Sequence, residues 1–225
     1  MSIDFQESFV AQRAAMVEQQ LRHRGITDER LLRAMGKVPR HEFIDLAKRQ
    51  EAYIDHPIGI AEQQTTSQPY IIAAMLQAAE IAENARVLEI GAGSGYQTAI
   101  LAELAAEVVA VERLPALARA AQSTLSRLGY HNIEIVIADG SLGWLSSSPY
   151  DVIVVSAASP SVPPALIDQL AVGGRLIIPV GDSGEQVLQL LVKLPDGITS
   201  LRILEGCRFV PMKLSALNYS VVQNF

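Results

Sequence analysis

The 225-residue chain has almost no cysteine: Cys207 stands alone, which excludes an intrachain disulfide and a zinc cluster of several thiolates. It also lacks an excess of positive charge. A net charge of −6 leaves no broad electrostatic footprint for a phosphate backbone, so no nucleic-acid partner is expected. No run reaches the roughly 18 apolar residues that span a bilayer. The opening "MSIDFQESFVAQRAAMVEQQL" carries acids and glutamines where a signal peptide needs basic residues and an unbroken apolar core. A soluble, cytoplasmic protein with no membrane partner is expected. The four histidines, His23, His41, His56 and His131, follow no metal-ligand spacing, and no metal is expected.

What the chain does have is apolar bulk, about half of its residues, enough for one domain to bury a core without staples. Its first part reads as helices. Apolar residues at Phe9, Val10, Ala14, Val17 and Leu21 predict a helix from Phe5 to about Arg24, ended by Gly25. "TDERLLRAM" predicts a second helix capped by Thr27, with two acids in its first turn, and "VPRHEFIDLAKR" a short third entered through Pro39. In "TTSQPY", Ser67 or Thr66 suits a helix cap, and Pro69 is tolerated in the first turn because it lacks an N–H.

From Arg86 the texture changes to short apolar runs alternating with helical patterns: "RVLEI", "QTAILAELA", "EVVAVE", "LARAAQSTLSRLG", "NIEIVIAD", "YDVIVVSAA", "PALIDQLA", "GRLIIPV". Buried strands followed by helices predict a doubly wound α/β fold with a mostly parallel sheet. "QVLQLLVKL" and "SLRILEG", joined by a turn at Pro195, Asp196 and Gly197, predict a C-terminal antiparallel hairpin.

In such sheets ligands sit beyond the carboxyl ends of the strands. Three of those ends carry informative residues. After the first comes "EIGAGSGY", in which Gly91, Gly93 and Gly95 allow a tight turn and a close backbone approach, with Glu89 just before them. After the second comes Glu112, placed to accept from two ribose hydroxyls. After the third comes "ADG", where Asp139 suits an exocyclic amine. A dinucleotide fingerprint fails because Tyr96 stands where a third glycine is needed, and no Gly-Lys-Ser/Thr completes a phosphate loop. S-adenosylmethionine, with adenosine, a cationic ammonium and a sulfonium, fits a loop flanked by acids. The bland alternatives are a packing turn at the glycines and a buried, structural Glu89.

The chain resembles protein-L-isoaspartate O-methyltransferases over almost its whole length, through "GITDERLLRAMGKVPRHEFI", "AYIDHPI", "QTTSQPYIIAAML", "VLEIGAGSGYQTAILA", "ADGSLG", "PYDVIVVSAA", "VPPALIDQLAVGGRLIIPVG" and "RFVPM". "TTSQPY" and "FVPM" are the most specific. The resemblance implies a Rossmann-like class I methyltransferase fold with an N-terminal helical extension. It implies S-adenosylmethionine as cofactor, with S-adenosylhomocysteine as product, and isoaspartyl peptides and proteins as partners. A single domain is expected: residues 1–80 a helical segment with the active-site loop, 81–212 the core, 213–225 a tail, and the protein a monomer. By resemblance the cofactor residues are Glu89, Gly91, Ala92, Gly93, Gly95, Glu112, Arg113, Asp139 and Gly140. Ser67 matches the active-site hydroxyl, and Thr65, Thr66, Arg208, Phe209, Val210 and Pro211 join it as substrate-binding residues. The peptide is expected to lie between "AYIDHP" and "RFVPM". Thr66 replaces a usual aliphatic residue and Gln63 a common glycine, which leaves open a relative that methylates a different carboxylate. A non-catalytic S-adenosylmethionine-binding module is the remaining alternative.

Overall fold

The computed structural model describes residues 3–182, 184–196 and 199–212. The first helix, α1 (Ile3–Ala15), continues through a wide π-turn at Met16–Leu21 and a tight turn at Arg22–Arg24. Gly25 ends the run at φ +91°, with Gly25 N donating to Arg22 O and Ile26 N to Leu21 O, the paired closure of a glycine-ended helix. The expected helical run is therefore present, but its buried stripe differs. Phe9, Met16 and Leu21 are buried, whereas Val10 and Ala14 are exposed. The six-residue π-turn buries both Met16 and Leu21, five positions apart, a spacing that a strict 3.6-residue period does not anticipate.

Helix α2 (Glu29–Lys37) is capped by Asp28, whose carboxylate accepts from Arg30 N at 2.8 Å and Leu31 N at 3.2 Å. Thr27, the expected cap, instead gives its backbone N–H to Gln77 Oε1. The third expected helix is two short 3₁₀ turns, Arg40–Phe43 and Leu46–Glu51, separated by Ile44 in extended conformation. Ile44 is buried there. Next come two short paired strands, β1 (Ile58–Gly59) and β2 (Thr65–Thr66), then α3 (Pro69–Ala79).

The central sheet comprises β3 (Arg86–Ile90), β4 (Glu107–Glu112), β5 (Ile133–Ile137), β6 (Tyr150–Val155), β7 (Leu170–Gly181), β8 (Gln186–Lys193) and β9 (Thr199–Cys207). Between them run α4 (Tyr96–Leu104), α5 (Pro115–Arg127) and the single-turn α6 (Pro164–Asp168). The sheet order is β5-β4-β3-β6-β7-β8-β9, parallel through β7 and antiparallel for the last two strands. This is the expected doubly wound sheet with its hairpin. Of the expected hairpin turn, Gly197 lies outside the described residues, as does the 213–225 tail. The expected helix "PALIDQLA" is shorter than its pattern: β7 begins at Leu170, and its pairing with β6 is irregular between Tyr150 and Val152.

The strands alternate their side chains between two cores, as a two-residue period requires. Val87, Val108, Val152 and Val154 join the larger core, which also takes Phe9, Leu31, Met35, Ile72 and Leu101 from the helices. Leu88, Val109, Ile153 and Val155 face the smaller core, closed by Leu166 of α6. The chain runs outward from β3 to β5, then returns to the other side of β3 as β6, so the order reverses between β3 and β6. A crevice for a ligand opens at such a reversal.

Candidate active site

The glycine loop leaves β3 at this reversal. Gly91, Gly93 and Gly95 all have positive φ, +87°, +55° and +86°, which L side chains rarely adopt. They serve different ends. A Cβ on Gly95 would stand 3.1 Å from Ala121 Cβ, so that glycine lets α4 press against α5. A Cβ on Gly91 would stand 3.7 Å from Ser156, the residue that follows β6. Ala92 is buried beside it. Gly140 is a packing glycine, since a Cβ there would come within 2.4 Å of Ile90 Cγ2.

Glu112 ends β4 nearly buried, its Oε2 accepting from Gly93 N and its Oε1 from Leu114 N, both at 2.9 Å. One carboxylate thus pins the glycine loop to the neighbouring strand. Each of its oxygens keeps accepting capacity for a hydroxyl donor. Asp139 follows β5 and accepts from Ser141 N at 3.0 Å and Ser141 Oγ at 2.8 Å through Oδ1. Arg113 is exposed.

Glu89 departs from the expected anion. It is fully buried, accepting from Gln97 Nε2 at 3.0 Å and from Thr98 Oγ1. Burial pushes its pKa up to about 8 against the relief from Thr98 and Gln97, so the carboxyl is mostly neutral at pH 7. Gln97 Nε2 also donates to Ser156 Oγ at 2.9 Å, joining β3, α4 and the end of β6 through side chains.

The β1–β2 pair places the hydroxyl cluster. Thr66 pairs with Ile58 and Thr65 with Gly59. In extended backbone successive side chains face opposite ways, so Thr65 and Ser67 share one side and Thr66 takes the other. Thr66 is accordingly buried, its hydroxyl 3.4 Å from Arg40 Nη1. Thr65 and Ser67 line a cavity of about 350 Å³ with Arg24, Pro57, Tyr70, Ser156 and Arg208 to Val210. Of the expected substrate residues, Thr65, Ser67, Arg208, Phe209 and Val210 meet there, whereas Thr66 and Pro211 are not in its wall.

The two segments expected to flank a peptide both line this cavity, Pro57 from one and residues 208–210 from the other. Gln186 clamps Phe209, accepting from its N–H at 2.6 Å and donating to its carbonyl at 3.1 Å. Ala158 N donates to Val210 O at 2.9 Å. Ser67 does not cap α3. Gln68 holds the cap position without a side-chain bond, and Asp55 Oδ1 takes the first-turn donor, Tyr70 N, at 2.9 Å. Asp55 also pairs with Arg24, whose guanidinium lies 3.4 Å above the centre of the Tyr70 ring. Sequence reasoning missed Arg24, Asp55 and Ser156 as site residues. Only Ser156 carried a signal, its place at the carboxyl end of a strand.

The residues fit an adenosine-bearing, cationic cofactor. Glu112 and Asp139 are acceptors at adjoining strand ends, and no lysine or arginine lies between Glu89 and Gln97 to balance a pyrophosphate. Sheet order, terminal hairpin and acid-flanked loop together define a class I methyltransferase fold. The profile described as "Protein-L-isoaspartate(D-aspartate) O-methyltransferase (PCMT)" matches residues 11–216, and the chain belongs to that family. It is 50% identical over 210 residues to "Protein-L-isoaspartate O-methyltransferase 1" of Syntrophobacter fumaroxidans, covering 93% of this chain and 96% of the relative. It is 53% identical over 201 residues to "Protein-L-isoaspartate O-methyltransferase" of Methanoculleus marisnigri, covering 89% and 91%. A solved protein-L-isoaspartate O-methyltransferase, 28% identical, superposes with a TM-score of 0.84 over 95% of this chain and 71% of that one. A Plasmodium falciparum structure described under the same family name, in complex with S-adenosyl-L-homocysteine, is 26% identical with a TM-score of 0.77, covering 89% and 98%.

Proposed function

We propose that this chain transfers a methyl group from S-adenosylmethionine to the free carboxylate of L-isoaspartyl and D-aspartyl residues in damaged peptides and proteins, the step that initiates their repair. The observation that carries this reading is the meeting of Thr65, Ser67 and residues 208–210 on one cavity whose wall includes Ser156, at the crevice beside the glycine loop. When bound, S-adenosylmethionine supplies a methyl carbon on a sulfonium and leaves as S-adenosylhomocysteine. Gly91, Ala92, Gly93, Glu112 and Asp139 would hold it, with Gly95, Gly140 and Glu89 shaping the loop from behind.

The chain's own task is orientation. A side-chain carboxylate with a reference pKa near ~4 is ionised at neutral pH and needs no general base. It needs alignment and shelter from water. Ser67 suits this task, since its hydroxyl donates to one carboxylate oxygen without the tight ion pair that a lysine would form. Selection of isoaspartate rests on shape, through the extra backbone methylene and the extended peptide that the cavity walls admit. Thr66, the reason for considering another carboxylate, is turned away from the cavity, and nothing in its surroundings favours that reading. A reducing cytoplasm, compatible with a chain that has one cysteine and needs no disulfide, and a monomeric state complete the proposal.

The test is labelled methyl transfer to paired peptides that differ only in isoaspartate or aspartate at one position. Ester on the isoaspartyl peptide alone is expected; no ester on either peptide with S-adenosylhomocysteine still bound would sink the proposal. Ser67→Ala is expected to lower turnover about 10- to 100-fold, the loss of one hydrogen bond to a charged group, with cofactor affinity unchanged. Equal losses in both would assign Ser67 a structural task.

A further inference from the structure

Arg40 is the largest fully buried side chain among the described residues. Its Nη2 donates to Ser67 O at 2.8 Å, its Nη1 reaches Thr66 Oγ1 at 3.4 Å, and its guanidinium lies over the Tyr96 ring at 4.7 Å from the centre. Its Nε has no partner, and neither does the buried Tyr96 hydroxyl. No carboxylate among the described side chains, which begin at Ser8, lies within ion-pair distance of it. Among the described side chains, those that favour its charge are Tyr96, Tyr53 and Asp55. Tyr96 is neutral, its pKa pushed up to about 12, and Tyr53 is likewise raised by burial. Asp55 is committed to Arg24 and Tyr70 N.

Burial works against the Arg40 charge, yet a guanidinium does not give up its proton in proteins. A desolvated cation with no bonded counter-ion among the described side chains therefore stands directly behind the peptide of Ser67. We infer that Arg40 is a positioning residue with two tasks: it fixes the segment from Thr65 to Ser67, and it presents a buried positive charge that the substrate carboxylate answers. This rests on the isoaspartyl reading of the cavity. Being one layer back, the charge draws an anion toward Ser67 without occupying the lone pair that attacks. The uncharged ester formed by the reaction loses that attraction, which favours its release. The low dielectric around Arg40 lets the charge act at more than contact range.

The experiment measures binding of three peptides to the protein loaded with S-adenosylhomocysteine: isoaspartyl acid, the matching isoasparaginyl amide, and the isoaspartyl methyl ester. The wild type is expected to bind the acid at least about 10-fold more tightly than the amide or ester. In Arg40→Met the acid is expected to weaken by about 10-fold while the amide stays within about 2-fold, so the preference collapses. Arg40→Lys is expected to keep the preference for the acid and to lose turnover, because a point charge cannot reproduce the planar fork at Ser67 O and Thr66. Arg24 and Arg208 also line the cavity and act alike in every variant, so the change in preference between wild type and the Arg40 variants, rather than the wild-type preference itself, reports on Arg40.

Parallel weakening of acid and amide in Arg40→Met would reduce Arg40 to a structural part and overturn the inference. So would a wild type that does not distinguish the two. Should Arg40→Met fail to hold cofactor, Arg40→Lys against Arg40→Gln decides: preference kept in the first and lost in the second supports the inference, and equal preference in both overturns it. Failure of the functional reading appears separately, as absence of methyl transfer by the wild type.

Discussion

At the scale of single residues, Asp55 and Glu89 carry consequences that their neighbours make calculable. Asp55 satisfies Tyr70 N and pairs with Arg24. Asp55→Ala is expected to lower stability by about 1–2 kcal/mol, the usual cost of losing a helix cap, measured by urea denaturation. Glu89 has a folded pKa of about 8 against an ordinary 4.5, so the folded state holds a proton that the unfolded state has released between those values. Stability from this group is full below pH 4.5 and is lost as pH rises toward 8. Glu89→Gln is expected to gain on the wild type across that window, by an amount on the order of a few kcal/mol, in denaturation curves at pH 5 and pH 8. Gln63 and Glu62 both adopt φ of +57°. Gln63→Gly is expected to be neutral or slightly stabilising, and Gln63→Val to cost about 1–2 kcal/mol by the same denaturation assay. The acids at the strand ends were legible in the sequence because their place follows from pattern. The protonation state of Glu89 was not, because it is set by complete burial, against partial relief from Gln97 and Thr98, and how deeply a strand end is buried is decided only by the packing of the whole fold.

At the scale of elements, local pattern named the strands well and the caps poorly. Short apolar runs announce buried strands directly, whereas a cap is decided by whichever acceptor reaches the first turn. Asp28 displaced Thr27 because Gln77 of α3 occupies Thr27, and Asp55 displaced Ser67 across 15 residues. Such partners are distant in sequence and invisible to a local reading. The alternation of Thr65, Thr66 and Ser67 was legible in principle, since it needs only extended backbone. Helix α1 is held by Phe9, stacked 4.2 Å from His41, which in turn bonds Tyr53 Oη at 2.7 Å. Phe9→Ala is expected to cost about 3–5 kcal/mol in urea denaturation. Burial lowers the His41 pKa, so its contribution is present above the ordinary 6.5 and falls away as pH drops through the folded value.

At the scale of the molecule, the N-terminal helices and one face of the sheet contribute to the same core, from Phe9 and Leu31 to Val154 and Leu188. We propose that they unfold as one unit, so a single thermal transition, with fluorescence and circular dichroism coincident, is the expected result. S-adenosylhomocysteine at about 100 times its Kd is expected to add about 2.7 kcal/mol, raising Tm by roughly 5–10 °C, while NAD leaves it unchanged.

The pairing of Gly59 with Thr65 sets a parity as well as a position. Removing one residue from the tip between them would turn the strand over, sending Ser67 toward Arg40 and Thr66 into the cavity. The tip therefore tolerates exchanges of side chain but not an odd change in its count, and a two-residue deletion would disturb this site less than a deletion of one.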